Sequence, residues 1–198
     1  LFSNAQNQNT NNNKIMLRRF DIEKFNKLVE ENGGKKSFDI YKNDGTRIYL
    51  SYSDNEYWES IIKLPFKYDY FYYPNGNLKK EIGMKYNCNI YCTEYDEQGN
   101  ITDYINYNND FKFSVDDVVE KMKDEWGGTL KGFEWDMERY FFKDRSYYIV
   151  SRNLTQYSQY VYRHYLIDGN TGEFLSISVF DHIHRPKNCP VYSPIDLY

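Results

Sequence analysis

Little in this sequence can staple, stiffen or anchor it. Three cysteines and five prolines are spread over 198 residues, which excludes a disulfide-dense scaffold and a Pro-rich stalk. No apolar run approaches the ~20 residues that a spanning helix needs. Positive charge is not in excess either: the net charge is −4, which disfavours nonspecific nucleic-acid or anionic-membrane binding. The P-loop, the Gly-x-Gly-x-x-Gly fingerprint and His-Glu-x-x-His are all absent. With no nucleophile motif recognisable, the reading is of a non-enzyme that needs no cofactor.

The cysteines leave the compartment open. Cys88 and Cys92 are four apart, ~13 Å along one strand, which is too far for a bridge unless Asn87 to Ile90 makes a turn. Cys189 would then be left over. Reduced, partly buried thiols are the plainer expectation.

What the chain has is aromatic bulk. It holds 22 Tyr, 13 Phe and 3 Trp, with only 40% hydrophobic residues in all. Tyrosine buries its ring while its hydroxyl reaches water or a partner, which suits half-exposed sheets and interfaces. An AT-rich genome, which enriches Tyr, Asn, Lys and Ile together, would produce the same bias.

Hydrophobic periodicity divides the chain into three parts. Leu1 to Lys14 is almost wholly Asn, Gln and small polar residues, and residues 1–16 are expected to be a disordered tether. In 17–112, Asp21 caps a short helix with Ile22, Phe25, Leu28 and Val29 on one face, stopped by Gly33-Gly34. Strands follow at Phe38 to Tyr41 and Arg47 to Tyr52, around Asn43-Asp44-Gly45. Glu56 to Leu64 reads equally as helix or strand. Four more strands are expected: Tyr68 to Tyr73, Leu78 to Tyr86, Ile90 to Tyr95 and Ile101 to Tyr107. In 113–198, Ser114 caps a helix whose apolar stripe is Val115, Val118, Val119, Met122 and Trp126, ended by Gly127-Gly128. Strands then run over Phe133 to Phe142, Tyr147 to Asn153, Tyr160 to Ile167 and Glu173 to Phe180, before a Pro-containing tail. The fold class is α+β, with antiparallel meanders and about two helices packed on one side, the lobes being separate or one continuous domain.

Tyr72-x-x-x-Gly76-Asn77-Leu78 and Tyr95-x-x-x-Gly99-Asn100-Ile101 set their glycines 23 positions apart. The pair resembles the variant MORN repeats of bacterial proteins, many of antitoxin or immunity type, over some 40 residues. Tyr41-x-x-x-Gly45 is a partial third copy, and Asn87-Cys88-Asn89 departs from the glycine turn the family often has. Asp168-Gly-Asn-Thr171-Gly172-Glu173 resembles the terminal hairpin of PepSY-type domains, small exported modules that regulate partners. The whole chain is also similar to Tyr/Asn-rich immunity proteins of Bacteroidota-type genomes. Repeats of this kind bury their apolar face by stacking, and they present a surface.

The implied function is stoichiometric inhibition of a cognate toxin or effector, without turnover. The alternatives are a structural or regulatory envelope module and a cryptic hydrolase. For partner binding, the acidic helix residues Asp117, Glu120 and Asp124 are the first candidates, with Tyr72, Tyr95 and Tyr104 as aromatic anchors. His182-x-His184 with Cys189 is the metal candidate, but a fourth ligand is not local, so surface histidines are the preferred reading. Glu134, Asp136 and Glu138 alternate and would share one solvated strand face, while His164 has no nucleophile motif beside it. The chain does not open on Met; the expectation is an envelope or periplasmic protein, with a lipid anchor upstream of the tether, and the cytoplasm as the alternative.

Overall fold

Hairpin turns organise the chain. The computed structural model describes residues 18–126, 135–153 and 161–181. Within these, helix α1 (Ile22–Glu31) precedes strands β1 (Ser37–Tyr41), β2 (Arg47–Ser53), β3 (Glu56–Lys63), β4 (Phe66–Tyr72), β5 (Leu78–Lys85), β6 (Cys88–Tyr95) and β7 (Ile101–Asn106). Helix α2 (Val115–Trp126) leads into β8 (Trp135–Phe142), β9 (Arg145–Asn153), β10 (Val161–Asp168) and β11 (Phe174–Asp181). The first seven strands form one sheet in chain order, and the last four form a second sheet in the order β11-β10-β9-β8. Every pairing is antiparallel, so the class is α+β with β dominant. The ambiguous stretch, Glu56 to Leu64, is strand β3, held between β2 and β4 on either side.

Three turns share one geometry. Tyr73 N–H donates to Asn77 O (2.9 Å) and Gly76 N–H to Tyr73 O (2.8 Å). The same pair of bonds joins Asp96 to Asn100 (2.9 Å) and Gly99 to Asp96 (3.0 Å), and Lys42 to Thr46 (2.9 Å) and Gly45 to Lys42 (3.1 Å). The three glycines have φ of 81°, 87° and 81°, a conformation that strains any residue with a Cβ. Tyr72 pairs with Leu78 and Tyr95 with Ile101, each beside a register shift, so the two motif copies superpose pairing for pairing. They also interlock: Tyr73 Oη donates to Tyr95 O (2.8 Å) and Asn77 Nδ2 to Glu97 O (2.8 Å). Where the second glycine turn of the repeat is missing, Tyr86-Asn87 makes a two-residue turn with both φ positive (50° and 65°), the type I′ form that matches strand twist.

Gly99→Val should lower stability by roughly 1–3 kcal/mol through backbone strain alone. Gly76→Val should cost a further ~1–3 kcal/mol, because a Cβ there would lie 3.1 Å from both Phe20 O and Ile22 Cδ1. Urea denaturation of the two variants tests the order. Equal losses would contradict it.

Each helix covers one face of the sheet that follows it in the chain, the expected helix-then-meander order occurring twice, with strand the dominant element. Asp21 caps α1 through Lys24 N–H (3.0 Å), and α1 lies on the face that carries Phe38, Tyr57 and Tyr72. Phe25 meets Tyr57 and Phe38 edge-on (centroids 5.6 and 5.7 Å), and Phe20 stacks on Tyr57 at 4.6 Å. The α2 stripe of Val115, Val118, Val119 and Met122 packs on Met137, Tyr148, Val150, Tyr165 and Ile167. Cys88 belongs to that second core, with Tyr86 and Ile90 packed against it, so the two lobes share buried contacts. At the Asp168 turn, Asn170 and Thr171 N–H donate to Asp168 Oδ1 (2.9 Å each) and Gly172 has φ 74°.

Candidate binding surface

Strand alternation sends every second side chain of the large sheet to the face opposite α1. Two rows cross it in register. One runs Tyr49, Ser60, Asp69, Ile82, Cys92, Ile105; the other runs Trp58, Phe71, Lys80, Glu94, Asp103. Among the described residues, no helix or further strand packs over these rows. The β2–β4 half is aromatic: Tyr49 meets Trp58 edge-on (4.9 Å), and Trp58 stacks parallel to Phe71 (6.0 Å). The β5–β7 half is charged, with Lys80 paired to Glu94 at 2.9 Å.

Beneath the rings sit polar groups. Asp69 is 5% exposed, takes an ion pair from Lys67 (2.8 Å) and lies 3.4 Å from Trp58 Nε1, which donates to it. Its register neighbour Ser60 is 2% exposed, and its hydroxyl has no hydrogen-bond partner among the described residues. A shallow depression of about 570 Å³ opens where the aromatic and charged halves meet, between Phe71, Ile82, Lys80, Glu94 and Tyr95. Half-buried rings held by neighbouring strands are rigid, so they can enter a partner with little loss of side-chain freedom.

The residues expected to bind a partner are scattered. Tyr72 is fully buried, and this corrects its assignment as a surface anchor. Its hydroxyl donates to Glu59 Oε2 (2.8 Å) and accepts from Arg18 Nε (2.9 Å), under α1 and Phe20. Tyr95, at the equivalent motif position, is half-buried against the first core. Tyr104 is exposed at 58%, on edge strand β7. Asp117, Glu120 and Asp124 do lie on the solvent face of α2. Yet Asp117 Oδ2 accepts from Ser114 N (2.9 Å) and Ser114 Oγ (2.7 Å), and these bonds hold its carboxyl below the usual range. Glu120 is paired with Lys123. Much of the charge on this helix face is therefore engaged within the helix itself.

Other candidates resolve differently. Asp136 and Glu138 share an exposed face of β8, where Asp136 accepts from Asn87 Nδ2 (3.0 Å) and Glu138 from the Tyr140 hydroxyl. His164 does have a serine beside it: pairing of β9 with β10 puts Ser151 Oγ 2.7 Å from His164 Nδ1. Burial lowers the histidine's pKa. Asp136 stands opposite Ser151, on the far side from the imidazole, which is not the order in which a carboxylate orients a catalytic histidine. Residues 1–16, Glu134, His182, His184 and Cys189 lie outside the described residues. Within the described residues, no three His, Cys, Asp or Glu side chains are placed to hold a metal ion, and no helix is long and apolar enough to cross a membrane.

Cys88 and Cys92 are both free and buried, on one strand with no turn between them. Burial pushes the Cys88 thiol and the Tyr148 phenol up to about 12 from ordinary values of 9.0 and 10.0. It also raises Tyr72 and Tyr91, each beside a glutamate. In the unfolded chain these groups ionise at the lower, ordinary values, so rising pH withdraws their protons from the unfolded state first and favours it. Stability should be level up to about pH 9 and fall steeply from there to pH 12. Urea midpoints taken from about pH 7 to 11 test this, and a flat profile would contradict the buried-phenol packing.

No protein-family model matches this sequence, and neither a curated protein nor a solved structure matches it.

Proposed function

We propose that this chain is a non-catalytic protein-binding inhibitor of the immunity type, which neutralises a toxin or effector by docking on it one to one. The observation that carries this reading is the open face of the seven-stranded sheet. Its Tyr49, Trp58 and Phe71 rings form a preorganised aromatic patch, with the Lys80–Glu94 pair and Asp103 alongside. Buried aromatic anchors ringed by polar groups are the usual composition of binding hot spots. The superposed turns at Gly76 and Gly99 support the repeat resemblance, and with it the immunity-type assignment. An envelope location, with residues 1–16 as a tether, belongs to the same reading.

Co-expression with the product of the adjacent gene is the test. A stable one-to-one complex and protection of the cell support the reading. Protection at substoichiometric amounts would instead show turnover.

A further inference from the structure

The large sheet ends at β7, and nothing described pairs with its outer side. Tyr107 N–H donates to Ile90 O (3.0 Å), so antiparallel alternation turns the main-chain groups of Tyr104 and Asn106 away from β6 and outward. Free edges are commonly blunted with lysine, proline or a bulge. β7 carries a bulge at its start, where Thr102 is the extra residue between the Asp103 and Ile101 pairings, but from Asp103 to Asn106 it pairs regularly with β6. It has neither lysine nor proline, and Ile101, Tyr104 and Ile105 are exposed at 64%, 58% and 42%. The outward Tyr104 amide is occupied only by its neighbour, Asp103 Oδ1 (2.9 Å), a local bond that an incoming carbonyl can replace. Asn106 O accepts from Asn109 N–H (3.2 Å) and keeps a second lone pair.

The charge of this edge is one-sided. From Tyr95 to Phe111 the chain has Asp96, Glu97, Asp103 and Asp110 and no Lys or Arg. Asp96 is used in its own turn, accepting from Gln98 N and Asn100 N. Glu97, Asp103 and Asp110 form no ion pair among the described residues.

We infer that the β7 edge takes up an extended, basic strand of a partner protein as an eighth strand of the sheet. This rests on the reading of the chain as a protein-binding inhibitor, and it names the segment of the partner that is read. Main-chain bonds to Tyr104 and Asn106 supply register, Ile101, Tyr104 and Ile105 supply apolar contact, and lysines or arginines at alternate positions meet Glu97, Asp103 and Asp110. A second copy of the chain is the poorer occupant. Antiparallel β7–β7 pairing sets these carboxylates against themselves. The opposite edge, β1, is flanked by Lys35, Lys36 and Lys42, but in a seven-strand meander it runs in the same direction as β7. Translating a copy would therefore pair the two edges parallel and leave the assembly unclosed.

The probe is a fluorescein-labelled, acetylated octapeptide of alternating Lys and Val, with a Glu/Val octapeptide as control, titrated into the full chain by anisotropy. The Lys/Val strand should bind, more weakly at higher salt, and the Glu/Val strand should not. Tyr104→Pro should weaken binding at least tenfold. Proline there removes an outward donor and no bond to β6, so the fold should be kept, as circular dichroism checks. Glu97→Gln with Asp103→Asn and Asp110→Asn should also weaken binding at least tenfold and flatten its salt dependence; the Asp103→Asn side-chain carbonyl can still accept from the Tyr104 amide. Trp58→Ala with Phe71→Ala should leave the peptide affinity unchanged, which separates the edge from the open face. The inference is overturned if the Lys/Val peptide fails to bind, if folded Tyr104→Pro binds it as well as wild type, or if wild type self-associates through β7. In each of those cases, intact binding of the adjacent-gene product would leave the inhibitor reading standing.

Discussion

Tyr72→Ala is expected to cost about 3–5 kcal/mol. The ring is 0% exposed and contacts Phe20 at 5.2 Å, at the point where α1 and the approaching chain close over β3 and β4. Truncation opens a cavity there. It also strips Glu59 of one of its two described partners, leaving Arg18, whose guanidinium lies 4.2 Å from the Tyr70 ring. Domains of this size are stable by only about 5–15 kcal/mol, so the variant should lose a large share of its stability and melt at a clearly lower temperature. Tyr72→Phe keeps the ring and loses only the bonds to Arg18 and Glu59, for roughly 1.5 kcal/mol. Thermal and urea melts of the pair separate packing from hydrogen bonding. If the alanine variant melts like wild type, the described packing of α1 on the sheet is wrong.

The second large effect is on binding. Trp58→Ala with Phe71→Ala should weaken partner affinity by about a hundredfold or more, since truncating a central aromatic anchor typically costs ~2 kcal/mol or more and each 1.4 kcal/mol is about tenfold. Both rings are half-buried on the open face, so the cost in stability should be smaller, ~1–2 kcal/mol. The acidic variant Asp117→Lys with Glu120→Lys and Asp124→Lys should act less strongly and mainly on association rate, because exposed charges steer encounter and are screened by salt. A larger loss from the helix variant than from the aromatic one would move the interface to α2.

Local chemistry made much of the fold legible. Glycines after Asn75 and Gln98 mark turns because only a residue without a Cβ takes a strongly positive φ without strain, and the observed angles are 81° and 87°. Asp21 and Ser114 announced their helices because a side-chain acceptor is needed for the first free amides. Position relative to distant chain was not legible. Tyr72 and Tyr95 occupy the same motif position, yet Phe20, more than fifty residues before Tyr72 in the chain, packs on the Tyr72 ring, which is fully buried, while Tyr95 is half-buried. Trp58 and Phe71 were missed because Glu56 to Leu64 carried no clear period, and the open face appears only once β3 is a strand. Ser151 and His164 are 13 residues apart and meet only through the register of β9 on β10, for which no short motif stands.

The claim that the open face docks a protein stoichiometrically is tested most directly by titrating the purified chain into its adjacent-gene product while following that protein's toxic activity. Inhibition should rise linearly to completion at one equivalent, and the folded Trp58→Ala, Phe71→Ala variant should need about a hundredfold more protein when assayed at concentrations near the wild-type Kd. Complete inhibition well below one equivalent, or a variant as effective as wild type, would contradict it.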